Sequence, residues 1–345
     1  MASGRGAWFD HIGEALFLAL AAWIFLSGAV VGGNPFPMAG LVLAIGVTLF
    51  LARWLTRWHP AVVPAAVAAG VAGLVIVSGP DSVHRLFGPL GYSNANAALY
   101  VIGVGAAGMV IVRVAVWWIQ VPFMLIGLGL AVLPWFLDAL AAALATVVIV
   151  GTLLVLLATA RGTATLIRLA AAVAFGAIAV TGLIGILYSG SGEGEGAWLI
   201  TERRLVLWSE AADLATVYPA FGVGPGRFPE ESRTALTDRD AQWAHHEPLE
   251  VGAEAGLPAF VLVIVTIMWV FAWIQRGSGR RGAALAGVVL SLGVVQASID
   301  YVWHYPAVPI ALAAVAGAGA SAGAQRSFLR PPAPEHVEEE RPPVL

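Results

Sequence analysis

The sequence predicts an all-α, polytopic membrane protein, a bundle of about ten transmembrane helices with one large extracytoplasmic loop. Three observations carry this. Of 345 residues, 59% are hydrophobic and only 11% are charged, with a mean hydropathy of +0.84, whereas a soluble domain carries roughly 25% charged residues. Apolar runs of about the length needed to cross a bilayer, roughly 20 residues, recur along the chain. Arginines in the short connections alternate between one side of the bundle and nothing.

The apolar runs lie at about 13–32, 38–54, 61–79, 97–117, 121–137, 139–159, 165–188, 256–275, 283–303 and 306–324. Pro134 and Asp138 divide 121–159 into two spans. The first run has no small-residue cleavage site after it and reads as a retained span. All 18 basic residues are arginine. Arg53 and Arg57, Arg161 and Arg168, then Arg276, Arg280 and Arg281, and finally Arg326 and Arg330 fall on alternate connections. By the positive-inside rule that face, with both termini, is cytoplasmic. Residues 1–324 form a single transmembrane domain, and the Pro- and Glu-rich 325–345 reads as a disordered cytoplasmic tail. Cysteine is absent, which removes disulfides, thiolate ligands and cysteine nucleophiles.

The hydrophilic segment 189–255 is then the extracytoplasmic loop. After a flexible "SGSGEGEG", residues 198–221 read as an amphipathic helix with Leu205, Trp208, Ala212 and Leu214 on one stripe. Pro219 ends it. "GVGPGRF" (222–228) is a glycine-rich turn, but no strand precedes it and no Lys-Ser/Thr follows, so nucleotide-loop readings fail. In "HHEPLEVGAEAGLP" (245–258), Pro248 suits a first helical turn with Glu247 as its cap. Gly256-Leu257-Pro258 separates that short helix from the next span, and Glu250 and Glu254 share a face.

Each polar candidate has a plain structural reading beside a chemical one. Arg203 and Arg204 pair with nearby carboxylates or clamp an anion through their planar donor forks. Arg227 braces its turn or contacts the same anion. His245 is an interfacial histidine or a general base. Asn94 and Asn96 cap a helix or bind sugar hydroxyls. Arg85 lies in the same outer loop. Asp300 and His304, at the outer end of the ninth run, are wet loop residues or site residues. Arg113 reads as a snorkelling residue. A metal held by His245, His246, Glu247 and Asp240 is disfavoured, since adjacent histidines rarely converge on one ion; neither metal nor cofactor is expected.

Three separated segments resemble the O-antigen ligase and Wzy-type polymerase family of bacterial membrane glycosyltransferases. They are "RLFGPLGYSNANAAL" from Arg85, "RLVLWSEAADLATVYPAFGVGPGRF" from Arg204 to Phe228, and "AHHEPLEVGAEAGLPAF" from Ala244 to Phe260. Their order, spacing and outer location span roughly 85–305. His246 replaces the family's usual asparagine, Pro248 a common aromatic, and Ala95 the proline between two asparagines. The resemblance implies a metal-independent, inverting transfer of a glycan from a polyprenyl diphosphate carrier to an acceptor hydroxyl of lipid A core, sugar or protein. The reaction would occur at the outer face of the bacterial cytoplasmic membrane. It implies His245 and Arg204 as catalytic residues. Arg203, Arg227, Arg85, Asn94, Asn96, Trp208, Glu254, Asp300 and His304 are then the substrate-binding set. The implied partners are the lipid-linked donor, the acceptor and the bilayer, with no nucleic acid. A Wzy-like polymerase is the alternative within the family. A small-solute transporter and a non-catalytic relative are the contrasting readings. A transporter would place ionisable residues near mid-membrane on broken helices, and the polar residues here concentrate in one outer loop instead.

Overall fold

The computed structural model describes residues 3–84, 88–137, 139–158, 201–238, 241–277 and 280–321. Among them the chain is helical, without strands: α1 (Ser3–Val31), α2 (Phe36–Trp58), α3 (Val62–His84), α4 (Ser93–Arg113), α5 (Trp117–Phe136), α6 (Leu140–Ala158), α7 (Glu202–Val217), α8 (Phe228–Glu231), α9 (Arg233–Thr237), α10 (Glu247–Gln275), α11 (Arg280–Ala297), a 3₁₀ turn (Val302–His304) and α12 (Ala307–Gly319). Among the described residues six helices are long and apolar enough to cross a membrane, those at Ala7–Val31, Phe36–Trp58, Ser93–Arg113, Trp117–Phe136, Leu140–Ala158 and Glu247–Gln275. The run at 165–188, the tail, Arg85 and Asp138 lie outside the described residues. The ninth run is shorter than its apolar composition suggests. Its helix stops at Ala297, where Ser298 Oγ donates back to the Val294 carbonyl and the Asp300 carboxylate takes the Tyr301 N–H.

α4 is the central helix. It touches α3, α5, α6, α11 and α12, and 89% of its apolar window is buried against 11% for α5. Small residues make this possible: a Cβ on Gly103 would press on Leu130, and one on Gly105 on Val289. Without a hydrophobic drive between helices in lipid, such close backbone approach is what gives packing its strength. α5, by contrast, exposes Leu125, Leu128, Trp135 and Phe136, a surface that only hydrocarbon solvates well.

The two ends of the bundle differ. Trp8, Trp54, Trp58, Trp117 and Trp118 are exposed at the start of α1, the end of α2 and the start of α5, as expected of an interfacial belt. At that end Arg53 pairs with Asp10, which also accepts from Trp273 Nε1 at 2.7 Å, and Arg276 stacks on the Phe9 ring. Arg113 does not snorkel. Its guanidinium donates to the carbonyls of Pro60 (2.7 Å) and Ala318 (2.9 Å), tying α4 to the α2–α3 connection and to the end of α12. Carbonyls at helix ends lack intrahelical donors, so a buried arginine satisfies several at once. The loop residues 201–246 sit at the opposite end.

α10 is bent where the sequence breaks it. Gly256 adopts φ 82°, ψ 172° between the short amphipathic stretch and the long apolar one. A Cβ there would meet the Ala220 carbonyl, while the next amide donates to Pro219 O at 2.9 Å. Gly256→Ala is therefore expected to destabilise the protein by about 1–3 kcal/mol, read as a lower thermal midpoint in detergent.

Candidate functional site

Four loops meet at the end of the bundle opposite the arginine cluster, and three carboxylates on the first turns of α10 hold three of them. Glu254 accepts from Gly226 N (2.8 Å) and Phe228 N (3.0 Å), which fixes the glycine-rich turn. Glu250 accepts from Ala244 N at 2.7 Å, which fixes the segment bearing His245. Glu247 accepts from Trp303 N at 2.8 Å, which fixes the turn after Asp300. The spacing of these acids, three and four residues, puts them on one helical face.

The glycine-rich turn is thereby explained without an anion. Val223 N and Gly224 N donate to the carbonyls of Ala253 and Glu254, and Arg227 N to Gly224 O. Pro225 O accepts from Asn34 N in the α1–α2 connection. The N–H groups a phosphate would need already have acceptors. Arg227 braces the same turn through Val223 O and Val31 O and pairs with Glu230 and Glu231.

The two adjacent histidines have separate roles. His246 is fully buried against Trp208 and caps α10, its Nδ1 accepting from Leu249 N at 3.2 Å. The helix cap is thus His246 rather than Glu247. Burial lowers its pKa to about 3, so it stays neutral and its lone pair is available. His245 occupies the left-handed region at φ 54°, uncommon for a side chain with a Cβ though histidine tolerates it better than most. Trp208, itself buried, pins it there by donating from Nε1 to the His245 carbonyl at 3.0 Å.

That backbone turn carries the imidazole to Asp300. His245 Nδ1 is 3.0 Å from Asp300 Oδ1. Arg204 Nη2 is 3.2 Å from Oδ2, Asn94 Nδ2 is 2.5 Å from Oδ2, and the Tyr92 hydroxyl is 2.8 Å from both oxygens. Tyr301 N donates to Oδ1 at 2.8 Å. Asp300 is almost wholly buried, with its side chain 6% exposed, while Arg204 retains 19% and His245 13%. Burial alone would raise the Asp300 pKa, but the hydrogen bond from His245 and the Arg204 charge outweigh it and hold the carboxyl below its usual value. Tyr92 is pushed upward by burial and by the negative charge of Asp300, so it remains a phenol donor. Donation by Nδ1–H to a carboxylate fixes the tautomer and leaves Nε2 as the basic nitrogen.

A cleft of about 360 Å³ opens beside this cluster, lined by Asn94, Arg204, Gln296 and Asp300 together with the first turn of α6. His245 does not line this cleft; it touches Asp300, which does.

His304 forms a second cluster. Its Nε2 lies 2.7 Å from Glu250 Oε1 and 3.6 Å from Glu247 Oε2, an ion pair rather than a well-aligned hydrogen bond. Its ring stacks on Trp243 at 3.9 Å. Burial would lower its pKa, but Glu250 and Glu247 raise it to about 10. A histidine with a raised folded-state pKa contributes stability fully below its ordinary value and loses it as pH climbs through the raised one. The thermal midpoint should therefore fall between about pH 6.5 and about 10. His304→Gln should flatten that slope.

The remaining candidates lie apart. Arg203 pairs with Asp238 at the surface. Asn96 is buried and its Oδ1 accepts from Leu90 N at 3.0 Å, folding the turn before α4 rather than facing the cleft. Sequence reasoning did not single out Tyr92 or Gln296, and it read Glu247 as a helix cap rather than as the acceptor for Trp303 N. Tyr92 lies inside the quoted outer-loop segment, two residues before Asn94, and that proximity was its one available signal.

The chain matches no family model and no curated protein.

Proposed function

We propose that the protein is an O-antigen ligase-like glycosyltransferase, moving a glycan from a polyprenyl diphosphate carrier to an acceptor hydroxyl at a membrane surface. The observation that carries this is the convergence of His245 and Arg204 on the two oxygens of Asp300, two residues 41 positions apart in the loop that the resemblance nominates independently. In the reaction the acceptor oxygen attacks the anomeric carbon, a C–O bond forms, and the bond from that carbon to the diphosphate oxygen breaks with its electron pair going to the diphosphate. His245 Nε2 takes the hydroxyl proton. Arg204 stabilises the charge growing on the leaving group, a preorganised effect worth about 3–4 kcal/mol per donor in enclosed sites. Asp300 fixes the imidazole tautomer and stabilises the imidazolium. A single displacement inverts the anomeric centre.

A growing polymer as acceptor would make the same chemistry a polymerase. Loss of the gene, followed by analysis of surface glycan, tests the reading. The expected result is shortened or unlinked glycan with accumulated lipid-linked precursor. Unchanged glycan with altered solute uptake would contradict it.

A further inference from the structure

Behind the His245–Asp300 pair lies the charge cluster around His304, which the proposed reaction leaves unused. Glu247, Glu250 and Glu254 share one face of α10, and all three are buried. Each accepts from backbone amides: Glu247 from Trp303, Glu250 from Ala244, Glu254 from Gly226 and Phe228. Buried like charges still need a cation nearby. His304 Nε2 supplies it, 2.7 Å from Glu250 and 3.6 Å from Glu247. Neither that nitrogen nor Glu250 Oε1 has a hydrogen-bond partner among the described residues. Charge rather than a directed hydrogen bond therefore joins them, and the attraction leaves with the proton.

The two carboxylates grip the two ends of the catalytic pair. Ala244, held by Glu250, immediately precedes His245. Trp303, held by Glu247, follows Asp300 in the 3₁₀ turn. The contact of 3.0 Å between His245 Nδ1 and Asp300 Oδ1 is thus spanned from behind by a second bridge, Ala244–Glu250–His304–Glu247–Trp303. Ring contacts brace the same frame. Tyr301 meets the His245 ring edge-on at 4.5 Å, and Trp243 stacks on His304 at 3.9 Å.

We infer that His304 is a positioning residue: its imidazolium clamps Glu250 to Glu247 and so holds His245 and Asp300 together. Once the proton leaves, the two buried carboxylates repel, the amides of Ala244 and Trp303 lose fixed acceptors, and His245 loses its fixed tautomer. Other groups around His304 do not titrate in its place. Glu254 adds to the negative charge of α10, and the Asp300 charge reaches Glu247. Burial pushes Tyr301 up to about 12 and raises Tyr305 as well. From α4 comes Tyr92, a phenol held by Asp300. α12 carries no titratable side chain, and the arginines of α11 lie at its far end. Burial would lower the His304 pKa, but Glu250 and Glu247 raise it to about 10, so the clamp is closed at neutral pH and opens as pH climbs through that value. Only the kinetic consequence rests on the transferase reading, since the state of the His245 ring is measurable without transfer.

The test uses the full chain in proteoliposomes, labelled with 15N-histidine. The His245 and His304 signals are assigned from the spectra of His245→Asn and His304→Gln. In the wild type His245 should hold its Nδ1–H tautomer from neutral pH and lose it as the His304 signal titrates near about 10. His304→Gln should show mixed His245 tautomers already at neutral pH. Its kcat should fall by about 10–10²-fold, as expected when catalytic groups are slightly misplaced, and its pH profile should lack the alkaline limb. The double variant His304→Gln with Glu250→Gln removes one anion along with the cation, and the new amide oxygen can still accept from Ala244 N. It should restore most of the tautomer and of kcat, and it stands in if the single variant does not fold. A histidine that only stabilised the fold would lower the melting temperature and leave the pH profile and the kcat of folded molecules unchanged. A His245 tautomer that ignores the titration of His304 would overturn the inference, as would a folded His304→Gln variant with wild-type kcat and pH profile. A double variant no better than the folded single one would also overturn it. A tautomer that follows His304 in a protein that never transfers glycan would keep the clamp and sink the transferase.

Discussion

Replacing His245 is expected to lower glycan transfer by about 10²–10⁴-fold, the range for loss of a positioned general base. The choice of replacement matters because of the backbone. His245 sits at φ 54°, a region that asparagine tolerates better than alanine. His245→Asn should therefore keep the loop in place, with Trp208 still donating to the residue-245 carbonyl and Glu250 still holding Ala244 N. A purified His245→Asn variant should melt close to the wild type and bind the lipid-linked donor normally. Loss of turnover with retained binding separates the chemical role from the structural one. His246→Asn makes the opposite control. That histidine is buried and caps α10, and asparagine is itself a good cap. The variant should lose stability through the emptied space beside Trp208, and any activity that survives solubilisation should be near normal per folded molecule.

The second large effect belongs to Asp300. It is buried and accepts from Tyr92, Asn94, Arg204, His245 and Tyr301 N. Asp300→Ala leaves Arg204 and the His245 N–H facing a vacant site. Removing one partner of a buried charged pair costs about 3–5 kcal/mol, so this variant should lose stability as well as activity. Asp300→Asn keeps the shape and one acceptor oxygen but removes the charge. It should fold, with kcat reduced by about two to three orders of magnitude as the imidazole loses its fixed tautomer. A smaller change in donor KM should accompany it, because Arg204 loses the partner that aims it. Steady-state kinetics on the reconstituted protein check both. An Asp300→Asn variant with wild-type kcat would remove Asp300 from the mechanism.

The sequence made the helices legible because bilayer thickness sets a length that composition reveals directly. α1, α2, α4, α5 and α6 stand where the apolar runs lie. The break at Gly256 was legible for a local reason, since Gly-Leu-Pro cannot continue a helix without a bend. The site was legible only in part. Arg204, His245, Asn94 and Asp300 were all candidates, but no periodicity shows that Asp300 is the residue on which the others converge. That follows from packing α4, α7, α10 and α11 around one point, a relation between segments up to 208 residues apart. The glycine-rich turn shows the same limit in reverse. Its glycines suggest an anion loop by composition, whereas the fold uses them to lay one backbone against another. Arg113 reads as a residue reaching for water and instead bonds two buried carbonyls, because helix ends inside the bundle supply acceptors that composition cannot reveal.

The central claim is that this membrane protein transfers a glycan from a lipid diphosphate through His245 and Arg204. Its most direct test is purified full-length protein in proteoliposomes, supplied with polyprenyl-diphosphate glycan radiolabelled in the sugar and with a set of candidate acceptors. The account predicts label appearing on an acceptor, one polyprenyl diphosphate released per transfer, and loss of both with His245→Asn and Arg204→Gln. Transfer that proceeds unchanged in a folded His245→Asn variant would contradict it, as would a donor that stays intact with every acceptor offered.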